Sequence, residues 1–179
     1  MNIFIVSNNQ TECAIALDDL RLRKMIVETA QMLSTAIRMQ PEFSYVSYLW
    51  DHKIYKKTHE NHPCAIWVRA QTANYVWALG LLNKMLEEYK HRFNKLHKTG
   101  TIYNSLASWV DKVGKWELEE SPAPKCFHPD ISRDLELREG YRRTLIIKWI
   151  NDKRPPKWTN REIPEWAAYR LLADRKENK

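Results

Sequence analysis

Residues 12–39, Glu12-Cys-Ala-Ile-Ala-Leu-Asp-Asp-Leu-Arg-Leu-Arg-Lys-Met-Ile-Val-Glu-Thr-Ala-Gln-Met-Leu-Ser-Thr-Ala-Ile-Arg-Met39, repeat their apolar positions with the period of an α-helix. Leu22, Met25, Ile26, Thr29, Leu33, Ala36 and Ile37 fall on one face. Arg21, Lys24, Glu28, Gln31 and Thr35 alternate spacings of three and four on the opposite face, a narrow polar stripe. Pro41 ends the helix. Towards the N-terminus, Asn8–Glu12 reads as a turn with a capping residue, and residues 2–6 as a short strand or buried tail. Towards the C-terminus, an aromatic and then polar connection (42–62) leads to Pro63, suited to the first turn of a helix over 64–97 that is interrupted near Asn74 or Gly80. Gly100 stops it. A short helix over 101–116 carries Ile102, Leu106, Trp109 and Val113, and 117–130 is a loop. A helix over 131–151 turns Leu135, Tyr141, Leu145, Ile146 and Trp149 inward, and Lys153-Arg-Pro-Pro156 breaks the chain. The last helix begins at Pro164 and fades into a charged tail, 174–179. The predicted class is mainly α: one compact helical globule of about five helices, a single domain over 1–179, not a regular bundle because its loops are uneven.

Of the 179 residues, 29 are Lys or Arg and 22 Asp or Glu, a net charge of +7 that favours a polyanionic partner. Eight tryptophans and eight tyrosines suit either base stacking or an ordinary core. Four scattered glycines form no phosphate-cradling loop, which argues against a nucleotide-dependent kinase or dehydrogenase, and no cofactor is expected. Cys13, Cys64 and Cys126 have no metal spacing and are odd in number. With no signal peptide and no apolar run of membrane length, they predict a reducing, cytoplasmic setting.

Four polar constellations stand out. The Arg21–Lys24–Glu28 stripe reads as an acid/base or cation-stabilising site, or as a solvated face with an i,i+4 ion pair. Residues 55–69 hold His59, Asn61, His62, Trp67 and Arg69 around Pro63, a polar cluster before a helix N-terminus where anions are favoured. His59 and His62 lack further ligands at a familiar spacing, so no metal is expected; phosphate or base contact competes with a capping role. The segment 141–161 holds Arg142, Arg143, Lys148, Lys153, Arg154, Lys157 and Arg161 against one acid, Asp152, with Trp149 and Trp158 between them. It reads as a phosphate track, or as solvated cations over core tryptophans. Glu87–Lys98, rich in cations at a helix C-terminus, complements the helix dipole.

Met1-Asn-Ile-Phe4, Lys24-Met-Ile-Val-Glu-Thr-Ala-Gln-Met-Leu-Ser-Thr-Ala36 and His59-Glu-Asn-His-Pro-Cys-Ala-Ile-Trp-Val-Arg69 resemble a family of small phage proteins over most of 1–98. More distantly, the layout is similar to the pyrimidine-dimer DNA glycosylases/AP lyases of phages and algal viruses, the endonuclease V type. Asn61-His-Pro63 with Trp67 matches that family's central motif, Arg21 its early-helix arginine, and Arg92 with His97-Lys98 its later segment. This resemblance implies an amine nucleophile, here that of Met1, because Asn2 is too large to permit Met removal. Leu22 stands where that family keeps its catalytic glutamate, so Glu28 is the substitute carboxylate. Arg21 and Lys24 would hold flanking phosphates, His59, Asn61 and His62 the opposite strand or an extruded base, and Trp67 or Trp158 would stack. Arg69, Arg142, Arg143, Lys153, Arg154 and Lys157 complete the expected DNA-binding set. The competing readings are an enzyme of modified rather than damaged bases, and a non-catalytic binder of DNA or of a host protein.

Overall fold

A computed structural model describes residues 1–110 and 121–177, with side chains to Leu171. The described residues are helical or irregular, with no strand. The α-helices are α1 (Gln10–Ala16), α2 (Asp19–Arg38), α3 (Phe43–Trp50), α4 (Pro63–Ala70), α5 (Thr72–Phe93), α6 (Tyr103–Val110), α7 (Leu137–Ile150) and α8 (Glu165–Glu177). A 3-10 turn (Lys98–Ile102) precedes α6. The mainly α class holds, with eight helices among the described residues rather than about five. Val113 and the rest of 111–120 lie outside the described residues, as do 178 and 179 at the end of the expected charged tail.

The extra helices come from breaks that capping chemistry creates. The periodic stretch 12–39 divides at Leu17-Asp18, where the chain turns extended and the Asp18 carboxylate accepts the Leu20 N–H at 3.3 Å. The 64–97 stretch divides at Gln71, three residues before the expected interruption at Asn74. Asn74 explains the site of the break: its side-chain amide donates to the Trp67 carbonyl at 2.8 Å, satisfying an acceptor that the end of α4 leaves open. The helix expected from 131 begins at Leu137, because Glu136 caps it by accepting the N–H groups of Arg138 and Glu139. Part of the expected 42–62 connection folds as α3.

Helix α2 is the centre of the molecule, packed by α4, α5 and α6. Every residue of its expected apolar face is buried, and so are Ala30, Met32, Ser34 and Thr35. Residues 3–6 form a buried extended tail rather than a strand. Seven tryptophans among the described residues belong to the core: Trp67, Trp109, Trp149 and Trp158 are buried, and Trp50, Trp77 and Trp166 pack against the core. Among the described residues no helix is long and apolar enough to cross a membrane.

Candidate active site

Three pieces of chain enclose a cleft of about 400 Å³. The buried tail delivers Met1 and Asn2 to it. Helix α2 contributes Arg21, Lys24 and Glu28, which share a face because seven residues span two turns. The far wall comes from the loop before α7 and from the C-terminal end of α7: His128, Lys148, Asn151 and Asp152. The four expected catalytic residues, Met1, Arg21, Lys24 and Glu28, therefore meet in one cavity.

Glu28 is the hub of that meeting. Its Oε2 lies 3.6 Å from the Met1 amine and accepts the Asn2 N–H at 3.0 Å. Its Oε1 lies 3.6 Å from the Lys24 ammonium, which is largely exposed. Arg21 is differently placed from the phosphate clamp the sequence suggested. It is buried, with Nη1 3.0 Å from Asp18 and 2.7 Å from Asp152. Two carboxylates neutralise it, and its work is to tie the start of α2 to the segment after α7. The cations that face the cleft openly are Lys24 and Lys148. A second hollow of about 510 Å³ shares Leu20 and Asp152 with the first and is lined by Arg23, Lys153, Arg154 and Lys157. The basic rim thus continues from the cleft along the surface.

The expected 141–161 stripe splits in two. Lys148, Lys153, Arg154 and Lys157 line the hollows. Arg142 donates to the Val6 carbonyl at 3.1 Å, Arg143 pairs with Glu139 at 2.6 Å, and Arg161 pairs with buried Glu88 at 2.8 Å. Trp67 and Trp158 are not stacking platforms. Each is buried and donates its indole N–H to a carbonyl, Trp67 to Ser121 at 2.9 Å and Trp158 to Ala16 at 3.1 Å. Arg69 donates to the Glu60 carbonyl and so braces the loop before α4.

His62 is the N-cap of α4, its Nδ1 accepting the Cys64 N–H at 3.2 Å, with Pro63 at the first helical position. Burial lowers its pKa, helped by the nearby Met1 ammonium and by His59, while Glu28 pulls the other way. His62 stands beside the amine without lining the cleft. His59 and Asn61 are exposed, and His59 occupies the left-handed region at φ 49 with Nδ1 2.7 Å from the Thr58 hydroxyl. Cys64 and Cys126, 62 positions apart, have sulfurs 3.5 Å apart, Cys64 donating. That bond brings the Cys126 thiol down to about 7, whereas the same contact and burial push Cys64 up. The Asn2 side chain donates to the Cys126 carbonyl at 3.0 Å, which links this pair to the amine segment.

Sequence reasoning missed His128, Asn151, Asp152 and Arg23. His128, Asn151 and Asp152 lie in a loop and at the end of α7, where no period marks them, and Arg23 lies within α2 beside the polar stripe rather than on it. Asp152 was visible as the single acid of a basic segment, and that contrast was its only signal.

A helical chain whose cation-rimmed cleft opens at its own N-terminus has the form of a small enzyme acting on a polyanion. Residues 1–99 match the pyrimidine dimer DNA glycosylase family, and the chain belongs to that family. It is a DNA glycosylase-like, base-processing enzyme, with DNA as its substrate class. No curated protein and no solved structure matches the chain. The matched residues supply the amine and α2 side of the cleft; His128, Lys148, Asn151 and Asp152 lie beyond them.

Proposed function

We propose that the protein is a phage DNA glycosylase/AP lyase that removes damaged or modified bases, with the Met1 α-amine as nucleophile and Glu28 as its partner carboxylate. The observation that carries this reading is the 3.6 Å approach of the Met1 nitrogen to Glu28 inside a cleft with an open lysine on either wall. A terminal amine is a better nucleophile at neutral pH than a lysine, because more of it is uncharged. The amine lone pair attacks the sugar C1′ and the C1′–N bond breaks. The bonding pair leaves with the base, which takes up a proton, and the amine nitrogen sheds its own. Opening of the sugar then leaves a protonated imine between protein and DNA. Glu28 stabilises the positive charge that develops on the sugar and draws the proton from the amine.

Leu22, the residue next to Arg21, is fully buried, so a carboxylate there would point into the core. Glu28 serves from the same polar face, two turns from Arg21. Lys24 and Lys148 hold phosphates beside the reacting sugar, and Arg23, Lys153, Arg154 and Lys157 carry the strand onward. The experiment is borohydride trapping on duplex DNA carrying an abasic site or a pyrimidine dimer. We expect a covalent adduct with the native chain and none when the Met1 amine is acetylated or preceded by a Gly-Ser extension. Absence of adduct with the native chain on both substrates sinks the amine mechanism.

A further inference from the structure

We propose that His62, Cys64 and Cys126 form a binding site for a soft divalent metal, zinc being the ion that the donor set fits. One ligating atom from each of the three residues lies within 4.8 Å of the others. Two sulfurs and an imidazole are the donors that zinc prefers. Two thiolates bound at about 2.3 Å to a tetrahedral zinc sit roughly 3.7 Å apart. The Cys64 and Cys126 sulfurs are 3.5 Å apart, and the Asn2 carboxamide oxygen is 3.7 Å from Cys64 Sγ. A disulfide, by contrast, needs sulfurs at about 2.05 Å and has no use for the histidine.

Charge and position agree with a metal. Two thiolates neutralise a divalent ion, so the site is not repelled by the Met1 ammonium close by. The ligands come from the first turn of α4 and from the loop before α7, and Asn2 joins them from the N-terminal tail. A metal there staples three segments immediately behind the amine. Binding replaces two existing bonds: the Cys64 thiol gives up the proton it donates to Cys126, and a neutral imidazole has a single lone pair, so His62 trades the Cys64 N–H for the metal whichever nitrogen ligates. The proposal does not depend on the amine mechanism, because its readout is metal uptake.

The test is titration of the reduced, full-length chain with zinc against a chromophoric chelator, and with cobalt followed by absorption. The expected result is one equivalent bound by the native chain and by Cys13→Ser, whose buried thiol instead donates to the Ser7 carbonyl. Cobalt should give thiolate charge-transfer bands and the intense visible absorption of a tetrahedral ion. His62→Gln and Cys126→Ser, at two half-buried positions, should each weaken binding at least ~10-fold. Three results overturn the site: no stoichiometric uptake, uptake unchanged in both His62→Gln and Cys126→Ser, or zinc that fails to protect Cys64 and Cys126 from closing into a disulfide under a thiol oxidant.

Discussion

Glu28 answers to three partners with one carboxylate: one oxygen is held by the Asn2 N–H beside the Met1 amine, and the other lies towards the Lys24 ammonium. The first arrangement fixes the nitrogen, and the second sets a cation beside the other carboxylate oxygen. Glu28→Gln separates these roles. The amide oxygen still accepts the Asn2 N–H, so the fold and thermal midpoint should barely move. The charge that stabilises a cationic sugar is gone, and single-turnover base release should fall by roughly 10²–10³-fold. A variant that retains full activity would make Glu28 a structural residue. The α2 stripe was legible because a helix repeats its faces every three to four residues, whatever surrounds it. The fates of Trp67 and Trp158 were not. A tryptophan that stacks on a base and one that buries its ring and satisfies its N–H on a carbonyl read identically in a chain.

At the scale of elements, Asp18 decides where α1 ends and α2 begins. Its carboxylate caps α2, pairs with Arg21 and accepts the Trp149 indole N–H at 2.8 Å, all while almost fully buried. Asp18→Ala removes a cap worth ~1 kcal/mol and leaves a buried indole N–H and half of an arginine pairing unsatisfied. Urea unfolding should register a loss of about 2–4 kcal/mol, with Asp18→Asn recovering part of it. The break at Asp18 escapes periodicity, since apolar positions on both sides keep nearly the same phase. Spatial neighbours 131 positions away give Asp18 its weight. The same blindness hid the Cys64–Cys126 contact, which arises because the α7 loop folds back over α4. Phe127 fixes that loop: its ring would come within 2.2 Å of a Cβ at position 140, so only glycine lets α7 approach so closely.

For the molecule as a whole, the buried ion network at Glu88 sets the acid limit. Glu88 pairs with Arg92 at 2.6 Å and Arg161 at 2.8 Å, and Arg92 also reaches Asp19 at 3.1 Å. Burial alone would raise the Glu88 carboxyl, but the two guanidinium groups outweigh it and hold it below its ordinary value. Asp19 is shifted the same way: burial pushes it up, and Thr159 and Arg92 bring it lower still. A depressed carboxylate stabilises the fold above its unfolded pKa and loses that contribution as pH falls through the folded value. Stability should therefore drop below about pH 4. In urea titrations at pH 7 and pH 3, Glu88→Gln should lose roughly 3 kcal/mol at the upper pH and show a smaller difference between the two. An undiminished acid dependence in that variant would locate the acid limit elsewhere.

The cleft has two walls of different parentage along the chain. All the named partners of Glu28 lie within the first 28 residues, whereas His128, Lys148, Asn151 and Asp152 reach the cavity from beyond the family-matched region. Two tethers hold the walls in register, Asn2 to Cys126 and Arg21 to Asp152. The amine–carboxylate pair and the wall that faces it are thereby carried by separate stretches of polypeptide. Under the proposed mechanism, substitutions on the far wall that keep both tethers leave the amine–carboxylate pair in place, so a change they cause in the bases released is separable from a change in bond-breaking.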